Sequence, residues 1–175
     1  AGISNAILPS EVLALDADTV GLVYLIDGFL PFFQAEATDR SIVFSWFSDI
    51  AKTVDTLHEH GYSHGEICPG SVFVSKEGQA IIVGAGVTDL VDLGSQYMGV
   101  VGYTSPESLD GPLDLAANDR FSLASMVFEY LTDSAPFVGN SFTEISEAVR
   151  LGHSVPISEF IPNASSDLVA LVANE

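Results

Sequence analysis

The chain has 175 residues, a length that suits one domain with a sizeable hydrophobic core. Apolar residues make up 47% of the sequence, which excludes a disordered tail and a coiled coil. Five Lys and Arg residues stand against 24 Asp and Glu residues, so the net charge is −19. Such a surface repels phosphate backbones and anionic lipids, so we expect neither nucleic acid binding nor direct membrane contact. The charge favours basic protein partners, or it serves only solubility or adaptation to salt.

Cysteine content and apolar run length bear on the compartment. Cys68 is the only cysteine, so no internal disulfide can form, which fits a reducing compartment. The longest apolar run, "VGLVYLIDGFLPFF", is interrupted by Asp27, Gly28 and Pro31 and is too short to span a bilayer. The first residues lack the basic segment of a signal peptide. We expect a cytoplasmic location, either as a free protein or as the cytoplasmic domain of a membrane protein.

Strand patterns begin the chain. Residues 13–17 and 20–25 have the composition of two short strands, joined by the polar turn "DADT". The next stretch, "DGFLPFF", predicts a linker with exposed aromatic side chains, which are a candidate docking patch.

The clearest helix is predicted over residues 41–60. Apolar side chains recur there at spacings of three and four, which places them on one face of a helix. Thr38 or Asp39 is suited to cap its first turn, and Gly61 is suited to end it. The apolar face consists of Val43, Phe47, Ile50, Val54 and Leu57.

The rest of the chain alternates between short strands, loops and helices. Residues 72–74 and 80–83 predict a hairpin around the turn "SKEGQ", followed by an irregular Gly-rich stretch up to about residue 107. Residues 118–131, "NDRFSLASMVFEYL", are apolar almost all round and predict a buried helix. Ser141 and Glu144 predict a capping box for the next helix, which ends at Gly152. The stretch "SSDLVALVANE" starts one more helix.

This order resembles the C-terminal lobe of a eukaryotic-type Ser/Thr protein kinase. The resemblance rests on the stretches "LHEHGYSHGEICPGSVFVS", "GYTSPESL" and "NDRFSLASMVFEYLTDSAPF", which follow the family's order and spacing. It implies a mainly α fold with short β hairpins (α+β), in which the N-terminal lobe is reduced or absent. Residues 1–30 would be a remnant of the N-terminal-lobe strands and hinge. Residues 31–175 would be the C-terminal lobe, truncated at its last helices.

The resemblance also allows the catalytic positions to be compared one by one. Kinases carry a His-Arg-Asp sequence whose Asp orients the substrate hydroxyl, and here the match is His64, Gly65 and Glu66. The carboxylate of Glu66 is one methylene longer than that of Asp, and a displacement near 1 Å can cost about 100-fold in rate. The Lys two residues further on is replaced by Cys68, and the metal-binding Asn is replaced by Ser71.

The metal-binding Asp-Phe-Gly sequence of kinases matches "GAG", which begins at Gly84 and offers no carboxylate. Mg²⁺ needs hard oxygen ligands, so this position cannot bind it. Asp89 and Asp92 are alternative carboxylates, but they lie three and six residues downstream of Gly86, where we expect the following loop. The first Lys of the chain, Lys52, lies inside the predicted helix, so the small lobe's strand Lys has no match. We therefore expect no cofactor and no metal.

Residues with a structural role in kinases are present. His64 matches the family's structural His, and Asp119 matches the Asp of the buried helix that binds the catalytic-loop backbone. Pro106 and Glu107 match the end of the activation segment. Because these residues stabilise the fold, their presence beside absent catalytic groups favours a preserved shape without the chemistry.

Two other kinds of site, a zinc site and a catalytic thiol, have candidate residues in the sequence. His58 and His60 lie two apart on a helix and diverge by about 200°, so we expect surface histidines rather than a zinc site with His64. Cys68 has no basic neighbour to lower its pKa, so we do not expect a catalytic thiol.

Thr88 and Thr104 lie in the stretch that matches the activation segment, together with Tyr103. Thr104 and Thr88 are possible phosphosites, since an active kinase could modify such hydroxyls and a phosphopeptide-binding domain could then bind them.

We therefore predict a pseudokinase: a catalytically inactive, protein-binding regulatory or scaffolding module, with no catalytic residue. Two alternatives stay open. One is a weak atypical Ser/Thr phosphotransferase that uses Glu66, and the other is a structural part of a larger signalling or cell-envelope protein.

Overall fold

The computed structural model describes residues 5–14, 20–36, 39–85, 100–110 and 114–172. Two compact units make up the chain, Ala1–Val91 (unit 1) and Asp92–Glu175 (unit 2). Helices and short strands occur together, which confirms the predicted α+β class. The division at residue 30 rests on the family resemblance and stays a prediction.

Unit 1 contains a four-stranded sheet, whose strands are β1 (Ala6–Ile7), β4 (Leu30–Pro31), β5 (Val72–Val74) and β6 (Ala80–Val83). Their order across the sheet is β1-β6-β5-β4. Its centre is the predicted hairpin, in which Val72 pairs with Ile82. β1 runs parallel to β6 and β4 runs antiparallel to β5, so segments far apart in sequence complete the sheet.

A separate antiparallel hairpin is formed by β2 (Glu11–Ala14) and β3 (Val20–Val23). The prediction of two strands here is confirmed, but their bounds were wrong, because the first strand begins two residues earlier and the second ends at Val23. Every residue of β2 is exposed. Without a buried face, no alternation of apolar and polar residues marks where such a strand begins.

The helix α1 (Arg40–Glu59) matches the prediction to within one residue at each end. The Asp39 carboxylate accepts a hydrogen bond from the Ser41 backbone at 2.8 Å, so Asp39 rather than Thr38 is the capping residue. At the other end, Gly61 has a φ of +78° and its N–H donates to His58, while the N–H of Tyr62 donates to Leu57. This pair of bonds is a Schellman motif, which satisfies the last carbonyls of the helix.

The buried face of α1 is centred differently from the predicted one. Trp46 and Thr53 are buried beside Ile50, Val54 and Leu57, whereas Val43 and Phe47 are only half-buried.

The linker was predicted to expose its aromatic side chains, but Phe32 is buried and Phe29 is half-buried. Phe32 lies in a short 3-10 helix (Phe32–Gln34) and is buried, with its ring edge-on to Trp46 and Phe47. Phe33 is 66% exposed. The linker therefore supplies both a core residue and an exposed one.

Unit 2 is helical. Its core contains Phe121 and Phe137, whose stacked rings lie 5.6 Å apart, together with Val149. The predicted buried helix is α3 (Leu115–Thr132), and nine of its residues are buried. Among the residues described, no helix is long and apolar enough to cross a bilayer. The helices are α2 (Pro106–Asp110), α3 (Leu115–Thr132), α4 (Phe142–Arg150) and α5 (Ser166–Val172), with a 3-10 helix at Ile157–Glu159.

Only half of the predicted capping box forms at the start of α4. The Ser141 hydroxyl accepts from the Glu144 backbone at 3.2 Å, as predicted. The Glu144 carboxylate accepts from the Asn140 backbone at 2.7 Å instead of from Ser141. The Glu144 side chain therefore binds the backbone N–H of Asn140, one residue before the Ser141 N–H that the capping box specifies.

Candidate functional site

The loop between α1 and β5 is organised around His64, which is 1% exposed. Its Nε2 lies 2.9 Å from the carbonyl oxygen of Val83, and its Nδ1 lies 3.2 Å from the backbone N of Glu66. Because the Glu66 N–H can only donate, Nδ1 must accept, and Nε2–H donates to Val83. The neutral ring thereby joins the loop to the end of β6, which is a structural role.

Glu66 offers its backbone to this arrangement while its side chain is exposed. The residues on either side, Gly65 and Ile67, are buried. The carboxylate of Glu66, at the expected catalytic position, therefore faces water at the surface of unit 1.

Cys68 and Ser71 close a tight turn. The Ser71 hydroxyl lies 3.1 Å from both the backbone N and the carbonyl oxygen of Cys68, so it accepts from the first and donates to the second. The Ser71 N–H also donates to the Cys68 carbonyl at 3.0 Å. Since the hydroxyl proton and one lone pair are used inside the turn, Ser71 is a poorer metal ligand here than its residue type alone implies.

Gly84 follows β6 with a φ of +93°. A Cβ at this position would lie 3.9 Å from the His64 ring, which is ordinary contact. The backbone angle is nevertheless one that side-chain-bearing residues rarely adopt, at a cost of about 1 kcal/mol or more. Gly84, which matches the kinase metal ligand, thus has no carboxylate, and its backbone conformation disfavours any residue that carries a side chain.

The Tyr24 hydroxyl lies at the backbone of Gly84, which it contacts without a well-formed hydrogen bond. Burial raises the pKa of Tyr24, and the Gly84 backbone offsets part of this rise. Tyr24 was not predicted as a site residue, because a local strand pattern does not show that Gly84 lies next to its hydroxyl.

Within the part of the chain that the structure describes, no group of three His, Cys, Asp or Glu side chains could hold a metal ion. Thr88, Asp89 and Asp92 lie outside the described residues. The proposed phosphosite Thr88 and the alternative carboxylates stay predictions.

In unit 2, Pro106 is the first residue of α2 and Glu107 is exposed in its first turn. Ser105 precedes them, and its hydroxyl accepts from the Ser108 backbone at 3.3 Å, so it caps the helix. The Ser105 N–H donates to the side chain of Asn118 at 2.8 Å, which joins this segment to α3. Asn118 was not predicted as a site residue, although it stands next to Asp119 in sequence.

Asp119 is fully buried in α3, and Thr104 is 2% exposed. A buried carboxylate is stable only when it has hydrogen-bond donors, which agrees with a structural role for Asp119. The Thr104 hydroxyl donates to the Val100 carbonyl at 3.3 Å. Phosphorylation of Thr104 stays a prediction, and it would require this segment to open.

Tyr103 donates a hydrogen bond to the carboxylate of Glu129 on α3. Burial raises the pKa of Glu129 above its ordinary value of 4.5, and the negative charge of Asp133 raises it further. The Glu129 carboxylate therefore binds a proton more readily in the folded state than in the unfolded state. It follows that the charged carboxylate destabilises the fold at neutral pH, and that this cost disappears as pH falls through the raised pKa.

We expect Glu129→Gln to raise the melting temperature at pH 7 by about 1–3 °C, because the amide keeps an acceptor for Tyr103 without the charge. The gain should shrink as the pH approaches 4.5, where the wild-type carboxyl is itself protonated. Differential scanning calorimetry between these pH values measures it. Glu147→Gln on the exposed side of α4 controls for the general effect of removing one negative charge. Equal gains for both variants at all pH values would contradict this account.

No family model matches the chain. Curated relatives do. A serine/threonine-protein kinase PknB of Mycolicibacterium smegmatis is 28% identical over 132 residues, which cover 71% of this chain and 21% of that protein. The probable PknB of Lactococcus lactis is 30% identical over 135 residues, covering 70% and 21%. A probable serine/threonine-protein kinase of Clostridium perfringens is 27% identical over 128 residues, covering 69% and 19%.

Among solved structures, the kinase region of twitchin from C. elegans matches with a TM-score of 0.75 at 15% identity, covering 96% of this chain and 31% of that one. The chain spans about a fifth of the length of the curated relatives described above. The structural match supports the fold and the sequence matches support the relationship. The chain is a homologue of Ser/Thr protein kinases and has a protein-kinase-like fold.

Proposed function

We propose that this chain is a pseudokinase domain that acts by binding protein, as a regulatory or scaffolding module. The observation that carries the proposal is Gly84: the position that matches the metal-binding Asp has no side chain and a φ of +93°. Mg²⁺ in kinases bridges the nucleotide phosphates and neutralises their charge. A domain without that ligand has lost the main means of holding a nucleotide for transfer.

Two further positions support the proposal. Cys68 stands where kinases have a Lys that contacts the transferring phosphate, and a thiol brings no positive charge. The Ser71 hydroxyl is used within its own turn. The residues present therefore do not fit a magnesium–nucleotide complex.

The remaining parts of the proposal follow from the resemblance. We propose that residues 1–30, including the β2–β3 hairpin, match strands of the N-terminal lobe and the hinge. Protein partners of this module would include an active kinase that modifies it or a phosphopeptide-binding domain that recognises the product.

Thermal unfolding with and without Mg-ATP tests the proposal. A ligand present at 100 times its Kd stabilises a protein by about 2.7 kcal/mol, which corresponds to several degrees for a domain of this size. We expect no shift for this chain, with the Mycolicibacterium smegmatis relative as the positive control. We also expect no shift for Gly84→Asp, because restoring one carboxylate leaves Cys68 and Ser71 unchanged.

A shift of several degrees in the wild-type chain would overturn the proposal. The alternative phosphotransferase activity has its own test, which is phosphate transfer to a generic protein substrate. Transfer by the wild-type chain that is lost in Glu66→Gln would establish Glu66 as the catalytic group and would equally overturn the proposal.

A further inference from the structure

A groove of about 430 Å³ lies on unit 1, between the start of α1 and the edge of the four-stranded sheet. Its apolar lining comes from Leu30 and Val74, which are paired across β4 and β5, and from Ile42 and Trp46, one turn apart on α1. Leu30 is 45% exposed, whereas Val74 and Trp46 are almost fully buried. The groove thus has a buried apolar floor and one accessible apolar wall, which is the anatomy of a binding site.

The two sides of the groove are held together rigidly. The Trp46 indole N–H donates to the carbonyl of Ser75 at 3.0 Å, which ties α1 to the end of β5. The Asp49 carboxylate accepts from the Ala80 backbone at 3.3 Å, which ties α1 to β6. Because these contacts hold both sides of the groove in place, little ordering would be required on binding.

Charged and polar side chains form the rim. The groove lining includes Gln34, Glu36 and Lys76. Residues 1–91 contain three Lys and Arg residues against 12 Asp and Glu residues, so the field around the groove is negative. An acidic partner would be repelled, whereas a basic one would be attracted from a distance. Phe33, which is 66% exposed, lies in the same 3-10 helix as Gln34.

We infer that this groove binds a basic peptide segment of a partner protein, in which apolar side chains enter the groove and Lys or Arg side chains face Glu36. This inference rests on the proposed binding function and adds to it the surface and the chemistry of the partner. The apolar floor supplies affinity, and the negative field supplies selection for basic sequences.

Fluorescence anisotropy with a labelled Gly-Lys-Leu repeat peptide of about 12 residues tests the inference. We expect saturable binding that weakens about tenfold when Leu is replaced by Ser in the peptide, and that is absent when Lys is replaced by Glu. Leu30→Gln should weaken binding about fivefold to tenfold, since it removes the accessible apolar wall. Leu131→Gln is the matched control, because Leu131 is similarly exposed, at 40%, but belongs to unit 2.

Charge variants should act in opposite directions. Glu36→Gln should weaken binding about twofold to threefold, and Lys76→Gln should strengthen it by a similar factor because a like charge is removed. Glu147→Gln, in unit 2, should change binding less than Glu36→Gln does.

Several outcomes would overturn the inference. Binding that is equal in wild type and Leu30→Gln would show only general attraction to an acidic protein. Tighter binding of the Glu peptide than of the Lys peptide would show the wrong chemistry. Concentration-dependent dimers in sedimentation that Leu30→Gln abolishes would show that a second copy occupies the groove. None of these results involves nucleotide, so failure here is distinguishable from failure of the proposed function.

Discussion

Trp46→Ala is expected to destabilise the protein by about 3–5 kcal/mol, the largest effect of any substitution considered for this chain. Trp46 is 2% exposed and contacts Phe32 edge-on. Truncation would leave a cavity between α1 and the sheet and would remove the hydrogen bond to Ser75. Trp46→Phe should cost less, about 1–2 kcal/mol, because an aromatic ring still fills most of the space and the Ser75 carbonyl still accepts from Gly78.

Phe44→Ala is the matched control, since Phe44 is an aromatic residue of the same helix that is 76% exposed. We expect it to change the free energy of unfolding by less than about 0.5 kcal/mol. Urea denaturation followed by far-UV circular dichroism measures all three variants, because Trp46 is the only tryptophan and fluorescence would lose its probe. A larger loss for Phe44→Ala than for Trp46→Ala would mean that α1 presents its other face to the core.

His64→Ala is expected to destabilise the protein by about 2–4 kcal/mol. The substitution removes a buried ring and leaves both the Val83 carbonyl and the Glu66 N–H without the partner described above. The result bears on the proposed function, under which the site has its structural His without the catalytic residues.

His60→Ala serves as the control for His64→Ala. His60 is exposed at the end of α1, where its Nδ1 lies 2.7 Å from the Thr56 carbonyl. We expect a change within about 0.5 kcal/mol in the same urea experiment. If the two His variants were equally destabilised, the loop around His64 would not depend on its buried hydrogen bonds.

The sequence by itself determined the elements whose signals are local. The start and end of α1 were predictable because Asp39 and Gly61 form their capping hydrogen bonds with residues only two or three positions away. The β5–β6 hairpin and the buried helix α3 followed from composition and periodicity in the same way. The absence of a carboxylate at Gly84 and of a Lys at Cys68 is likewise a matter of residue identity, so it needed only the family's order of motifs.

Only the tertiary structure decided how distant segments meet. No local pattern predicts that Ala6 pairs with Ile82, that Phe32 packs on Trp46, or that Thr104 is buried. The groove depends on the same kind of contact, because its walls come from segments separated by many residues. Caps, turns and periodic patterns depend on residues that are close in sequence, whereas burial and close approach depend on which distant segments the folded chain brings together.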